Sequence, residues 1–259
     1  MKRPHLYLPL VMLLAVCAGP AEGKGTLEGP VRIHSAALGY TLQYWIYLPD
    51  DYEKPLPELY ITDGQTYLSA GGLAEVVDDE IDSGRIVPIA AIFVDSRNPD
   101  DVEEARRNKE FMCNVNYGKF FVGELMPEVS RRWTGADKST RRGLMGVSLG
   151  AINTACFGVM LPGVFQTLIM HSPGGSEHLD VINRLYQERP RQPGAFFLSH
   201  GSEQDYEAAA VRFVETLREK GYPVREISTS GGHDWENWRP LLDDSLRAFA
   251  GTREEDEIR

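Results

Sequence analysis

The sequence predicts an α/β fold: one mainly parallel sheet covered by helices on both faces. Three observations carry that prediction. Strand-like and helix-like segments alternate through most of the chain, the order that sandwiches a parallel sheet between helical layers. Pro88-Ile-Ala-Ala-Ile-Phe-Val94 is almost wholly apolar, as befits a strand buried on both faces. The apolar run Arg142 to Val147 passes through Gly146-Val-Ser-Leu-Gly150 into a second apolar run, Ala151 to Met160, too long for a strand and so read as a helix.

The elements follow in order. Val31 to Leu38 and Tyr40 to Leu48 read as two strands folded back around Gly39, and Pro49 to Pro55 as a loop. Glu58 to Thr62 is a short buried strand that ends at Asp63-Gly64-Gln65. Ala70 to Ser83 is predicted helical. Tyr117 to Trp133 carries Phe121, Leu125, Val129 and Trp133 at spacings of four, an amphipathic helix that Pro127 is expected to kink. After the strand and helix around Ser148 come strands at Phe165 to Met170 and Ala195 to His200. A helix over Tyr206 to Lys220 sets Ala210, Phe213, Val214 and Leu217 on one side. Val224 to Thr229 is the last strand and Trp235 to Ala250 the last helix.

Residues 1–23 have the pattern of a secretory signal: Lys2 and Arg3, then an apolar stretch from Leu6 to Ala18 with a cleavage site near Val16-Cys-Ala18. Leu14-Ala-Val-Cys17 is a faint lipobox, and an uncleaved anchor is the other alternative. Membrane contact is expected only if this end is retained or lipidated; otherwise the protein is periplasmic or secreted. Residues 24–259 are expected to form one domain. Cys113 and Cys156 then remain, and an oxidising compartment permits a disulfide between them without requiring one. The net charge of −11 argues against a nucleic-acid partner, which would need a basic face. No His, Cys and carboxylate spacing suggests a metal, and nothing calls for a cofactor.

Right-handed crossovers bring the loops after parallel strands to one edge of the sheet. That rule gathers Asp63 to Gln65, the long Asp95 to Asn116 loop, Ser148, Gly201 to Asp205 and Gly231 to Trp235. Gly-x-Ser-x-Gly between strand and helix is a nucleophile elbow, whose glycines let strand and helix cross closely. Serine needs a base to take its proton, and His233, in a glycine-rich loop after the last strand, is the candidate. The acid must lie between them. Asp205 comes first and Glu203 second, with capping of the following helix as the bland alternative for Asp205. The backbone N–H groups of Leu149 and Gln65 are the candidate donors to a developing oxyanion. A histidine base must be neutral, so acylation is expected to fall on the acid side of about pH 6.5. His34, His171, His178 and His200 read as structural or surface residues.

Several segments together resemble the Putative esterase family of α/β-hydrolases. They are Tyr47-Leu-Pro-Asp-Asp-Tyr52, Leu59-Tyr-Ile-Thr-Asp-Gly-Gln65, Glu124-Leu-Met-Pro127, Gly146 to Gly150 and Gly231-Gly-His-Asp-Trp-Glu-Asn-Trp-Arg239. That family includes enterochelin (siderophore) esterases, feruloyl and acetylxylan esterases, S-formylglutathione hydrolase and mycolyltransferases. The resemblance covers nearly all of the chain from about residue 30. It implies an α/β-hydrolase fold, Ser148 as nucleophile, His233 as base, and a carboxylic ester of a small molecule or glycan as substrate. Arg107-Asn-Lys-Glu-Phe-Met-Cys-Asn114 is most similar to the siderophore-esterase branch. Ala151 departs from the pattern, standing where the family usually has a glycine. Arg106 and Arg107, with Arg97 and Lys109 in the same loop, are candidates to hold an anionic or catecholate substrate. Tyr67 and Trp235, with Trp238, are candidates for an aryl wall. An acyltransferase, and a non-catalytic relative that binds glycans or siderophores, are the alternative expectations.

Overall fold

A computed structural model describes residues 25–253, 256 and 258. Its centre is an eight-stranded sheet. In chain order the strands are β1 (Thr26–Ser35), β2 (Tyr40–Leu48), β3 (Glu58–Thr62) and β4 (Ala90–Val94). A two-stranded hairpin follows, β5 (Arg97–Asn98) with β6 (Asp101–Ala105). Then come β7 (Arg142–Val147), β8 (Thr167–His171), β9 (Ala195–Gly201) and β10 (Val224–Thr229). The order across the main sheet is β1-β2-β4-β3-β7-β8-β9-β10. β1 and β2 are antiparallel, as is β2 against β4; the remaining pairs are parallel. This is the expected α/β-hydrolase architecture.

Side chains alternate across the sheet, so neighbours in sequence feed two different cores. Tyr60, Leu144 and Phe196 join one face with Phe121, Phe157 and Phe213 from its covering helices. Leu59, Ile61, Met145 and Phe197 join the other with Leu242, Leu246 and Phe249 of the last helix. Strands β3, β4 and β8 are buried at every residue, which is why their middles are apolar on both faces.

Some elements depart from expectation. The helix predicted over 70–83 is broken by Gly72, whose φ of 62° lies in the left-handed region open to glycine. A wide turn, Tyr67–Gly71, precedes it and the regular helix runs Leu73–Asp82. Pro127 sits in the first turn of the short segment Met126–Val129, just after a wide π turn at Phe121–Leu125. Its missing N–H thus falls where the hydrogen-bond register changes, and the helical course continues to Thr134. The long loop from Asp95 holds the β5–β6 hairpin and a helical turn, Arg107–Glu110. A helix at Ser176–Glu188, not predicted from sequence, covers β8 and β9 through Leu179, Ile182 and Tyr186. The last helix runs Trp235–Trp238, tightens at Arg239–Leu241 around Pro240, and resumes as Leu242–Ala250.

Cys113 and Cys156 are joined by a disulfide, with Cα atoms 5.0 Å apart. It ties the end of the Arg107 segment to the helix Leu149–Met160. The predicted signal at 1–23 lies outside the described residues. Among the described residues no helix is long and apolar enough to cross a membrane.

Candidate active site

The turn between β7 and the helix Leu149–Met160 is built by steric necessity. A Cβ on Gly146 would stand 2.3 Å from the carbonyl carbon of Gly150, and one on Gly150 would stand 2.9 Å from Thr62 Oγ1. Ala151 is fully buried in the core, and the turn closes around those two glycines. Between them Ser148 holds φ 56° and ψ −120°, a region that L residues rarely occupy. Its N–H donates to the His171 carbonyl at 2.9 Å, which anchors the turn to β8. Gly174 leaves room on the open side: a Cβ there would meet Ser148 Oγ at 2.6 Å.

His233 arrives on the loop after β10. Its Nε2 lies 2.8 Å from Ser148 Oγ and its Nδ1 2.5 Å from Asp205 Oδ1. With the carboxylate ionised, Nδ1–H donates to it and Nε2 accepts from the serine hydroxyl. The Asp205 side chain is 0% exposed. Its other oxygen accepts from the Ser172 hydroxyl at 2.5 Å and the Gly201 N–H at 2.5 Å. Three donors thus face one buried carboxylate and fix its orientation. Asp205 caps nothing: Tyr206 is the capping residue of the helix Glu207–Glu219, with no side-chain cap bond. Glu203 lies exposed on the same loop, joined to the His233 loop through its backbone N–H to Gly231 O.

Ser172 and Tyr206 escape a sequence reading, and Trp238, a candidate for the aryl wall, is buried here in a bracing role. Ser172, buried and with φ 43°, also accepts from Trp238 Nε1–H at 2.7 Å. Trp238 packs its ring edge-on to His233 at 5.1 Å, so it braces both acid and imidazole. Tyr206, with φ 54° and 45% exposed, sets its ring 5.6 Å from His233 on another side. Nothing in residue type signals these roles, because two of them depend on left-handed backbone.

Leu149 is the first residue of its helix and Gln65 lies in the single turn Gly64–Thr66. First-turn N–H groups have no partner within the helix, so both are available to an oxyanion. The Gln65 turn is pressed against β4, since a Cβ on Gly64 would stand 2.4 Å from the Phe93 carbonyl carbon. The Gln65 side chain is tied to Ser96, donating from Nε2 to Ser96 Oγ at 3.0 Å.

The candidate substrate residues fare differently. Tyr67 is fully buried, edge-on to Trp235 at 5.1 Å, and so lines the core rather than the cleft. Trp235 is half-buried and stays a candidate wall. Arg106 donates to the Thr41 carbonyl at 2.9 Å and lies over the Tyr40 ring at 4.3 Å; its side chain is only 11% exposed. Arg107 is engaged by the buried carboxylate of Asp63 at 2.8 Å. Both arginines are thus engaged by partners within the fold, Arg107 with its side chain still 35% exposed. Below them Glu110 is buried, accepts from Tyr40 OH at 2.9 Å, and is pushed up to about 8 by burial. His171 is also buried and held down at about 3 for the same reason, with Nδ1 3.0 Å from Ser199 Oγ. A cavity of about 730 Å³ opens on the flank of His233, walled by Glu203, Gly231, Asp234, Glu236 and Pro240. Among the described residues no cluster of three or more His, Cys, Asp or Glu is arranged for a metal ion.

A family model described as Putative esterase matches residues 35–249. Iron(III) salmochelin esterase of Escherichia coli O6:H1 is 27% identical over 237 residues, covering 82% of this chain and 55% of that protein. The chain thus spans about half the length of that curated relative. Among solved structures, the enterobactin esterase of Shigella flexneri, crystallised in the presence of enterobactin, superposes with a TM-score of 0.73 at 18% identity. That match covers 88% of this chain and 59% of the other. S-formylglutathione hydrolase of Staphylococcus aureus gives 0.70 at 15% identity, covering 88% and 97%.

Proposed function

This chain belongs to the Putative esterase family, and from that premise we propose that it hydrolyses carboxylic esters through an acyl-enzyme on Ser148. The observation that carries the reading is the unbroken chain Ser148 Oγ to His233 to buried Asp205, with links of 2.8 and 2.5 Å. His233 takes the serine proton as the hydroxyl attacks the ester carbonyl. The tetrahedral oxyanion forms opposite the N–H groups of Leu149 and Gln65, and the imidazolium is stabilised by Asp205. His233 then protonates the departing alcohol. Water enters, gives a proton to the same nitrogen as it attacks the acyl carbon, and the bond to Ser148 Oγ breaks, the imidazolium returning the proton to Oγ and the acid leaving. The substrate is a small-molecule or glycan ester. Siderophore-type esters come first, because the relative at 27% identity is named for one, and feruloyl or acetyl esters come second. The sequence of residues 1–23 and the Cys113–Cys156 bridge support export to an oxidising compartment, periplasmic or extracellular.

A fluorophosphonate probe tests the nucleophile. Native protein is expected to be labelled and to turn over p-nitrophenyl acetate, and Ser148→Ala to do neither. Equal labelling of both, or of neither, would overturn the proposal.

A further inference from the structure

The Asp63–Arg107 pair joins two segments that are 44 residues apart in sequence. Arg107 Nε donates to both Asp63 oxygens at 2.9 Å, and its Nη2 lies 2.8 Å from Oδ2. Ser96 Oγ donates to Oδ1 at 2.6 Å. The carboxylate is 2% exposed. Its own residue has φ 54°, left-handed backbone directly before Gly64 and Gln65. On its far side the carboxylate reaches the elbow: Oδ2 is 3.3 Å from where a Cβ on Gly150 would stand. Asp63 thus opens the Gln65 turn in the chain, and its carboxylate lies beside the elbow, in the space that a side chain on Gly150 would need. Arg107 is in turn fixed from behind. Its segment continues into buried Phe111 and ends at Cys113, bridged to Cys156 in the elbow helix.

We propose that Arg107 is a positioning residue that acts through Asp63: it holds the left-handed turn so that the Gln65 N–H faces the oxyanion. The proposal rests on the reading above that Gln65 is an oxyanion donor. Without the guanidinium, the carboxylate is left buried and unpaired. Burial already pushes Asp63 upward against the pull of Arg107 and Ser96. The carboxyl then takes a proton or turns toward water, and either change frees the turn. Loss of an aimed donor harms the transition state more than the bound ester, so the cost falls on kcat rather than KM.

The test compares native protein, Arg107→Lys, Arg107→Ala and Asp63→Asn on a neutral ester, p-nitrophenyl acetate, and an anionic one, p-nitrophenyl hemisuccinate. Arg107→Ala is expected to lower kcat by about 10- to 100-fold on both esters, with KM changed less than about threefold. Arg107→Lys, which keeps the charge, restores part of the loss. Adding Asp63→Asn to Arg107→Ala costs little more, since the two act as one unit. Amide exchange of the segment 63–68 gives a readout independent of turnover: it accelerates in Arg107→Ala, while that of β9 stays as in the native protein. A loss confined to the anionic ester, carried in KM, would make Arg107 a substrate contact and overturn the proposal. Unchanged exchange at 63–68 would overturn it as well. Native protein that turned over neither ester would sink the esterase reading alone, and the exchange result would still decide the clamp. If Arg107→Ala fails to fold, Arg107→Lys carries the same kcat and exchange comparison at smaller amplitude.

Discussion

Ser148 keeps its backbone in a rarely occupied region because β7, the helix behind it and the His171 carbonyl leave it no other course. That crowding yields a selective lesion. Gly174→Ala places a methyl where Ser148 Oγ now stands, at 2.6 Å, without touching the core. Its kcat should fall at least 100-fold while its melting temperature moves by only a few degrees. Unimpaired turnover would show that the serine has another rotamer to use. The acid is separable in the same way. Asp205→Asn should lower kcat by about 10⁴-fold, the magnitude known for a serine protease, because the imidazole loses its tautomer restraint. Glu203→Gln, on the exposed side of the loop, should cost less than about threefold. Ser172→Ala removes one of three donors to Asp205 and should cost on the order of tenfold in kcat. Ser148 and His233 were legible because elbow and glycine-rich loop are local patterns. Asp205 and Glu203 were not separable by sequence, being two positions apart on one strand-following loop. The pairing of Arg107 with Asp63 was not legible, because its partner is 44 residues away and no local pattern records that distance.

Elements were legible where their period was complete. β3 and β10 have the bounds read from sequence, and β4 announces itself by an unbroken apolar run. Ser176–Glu188 has Leu179, Ile182, Leu185 and Tyr186 at helical spacing, but exposed Val181 and the charged residues between them blur the stripe, and the helix was passed over. The long loop was legible as a loop, but its hairpin pairs short, mostly polar strands, the second exposed throughout, that carry no apolar alternation. The bridge from that loop to the elbow helix closes 43 residues of chain. Replacing Cys113 and Cys156 with serine should cost about 2–4 kcal/mol. For a chain of this size that lowers the melting temperature by roughly 5–15 °C. Calorimetry of native and doubly substituted protein measures it, and equal temperatures would mean that packing around Phe111 alone secures the loop.

For the whole molecule, two buried titratable groups set opposite slopes of stability with pH. His171 is lowered from 6.5 to about 3 by burial. The unfolded chain takes a proton there that the folded one refuses, so stability drains as pH falls below 6.5 toward 3. Glu110 is raised from 4.5 to about 8, chiefly by burial, with Tyr40, Arg106 and Lys109 opposing and Asp63 assisting. The folded chain keeps that proton, so stability is full below 4.5 and is lost as pH rises through about 8. Urea midpoints at pH 4, 6 and 9 should therefore peak near the middle value. His171→Asn should flatten the acid limb and Glu110→Gln the alkaline limb; parallel curves for all three proteins would contradict both assignments. The strand order, finally, has a consequence in time. From β7 onward each new strand pairs with the one made just before it, so a chain emerging from the ribosome or a translocon extends a finished edge stepwise. Ser148 is laid down early in that series, Asp205 after β9, and His233 only after β10. The segment Leu242–Ala250 then returns to the oldest part of the molecule, where Phe249 packs on Leu59 and Arg247 meets Glu80 at 2.8 Å. Synthesis thus sets Ser148 in place alone: a nascent chain displays the serine before Asp205 and His233, the side chains that meet it, have been made.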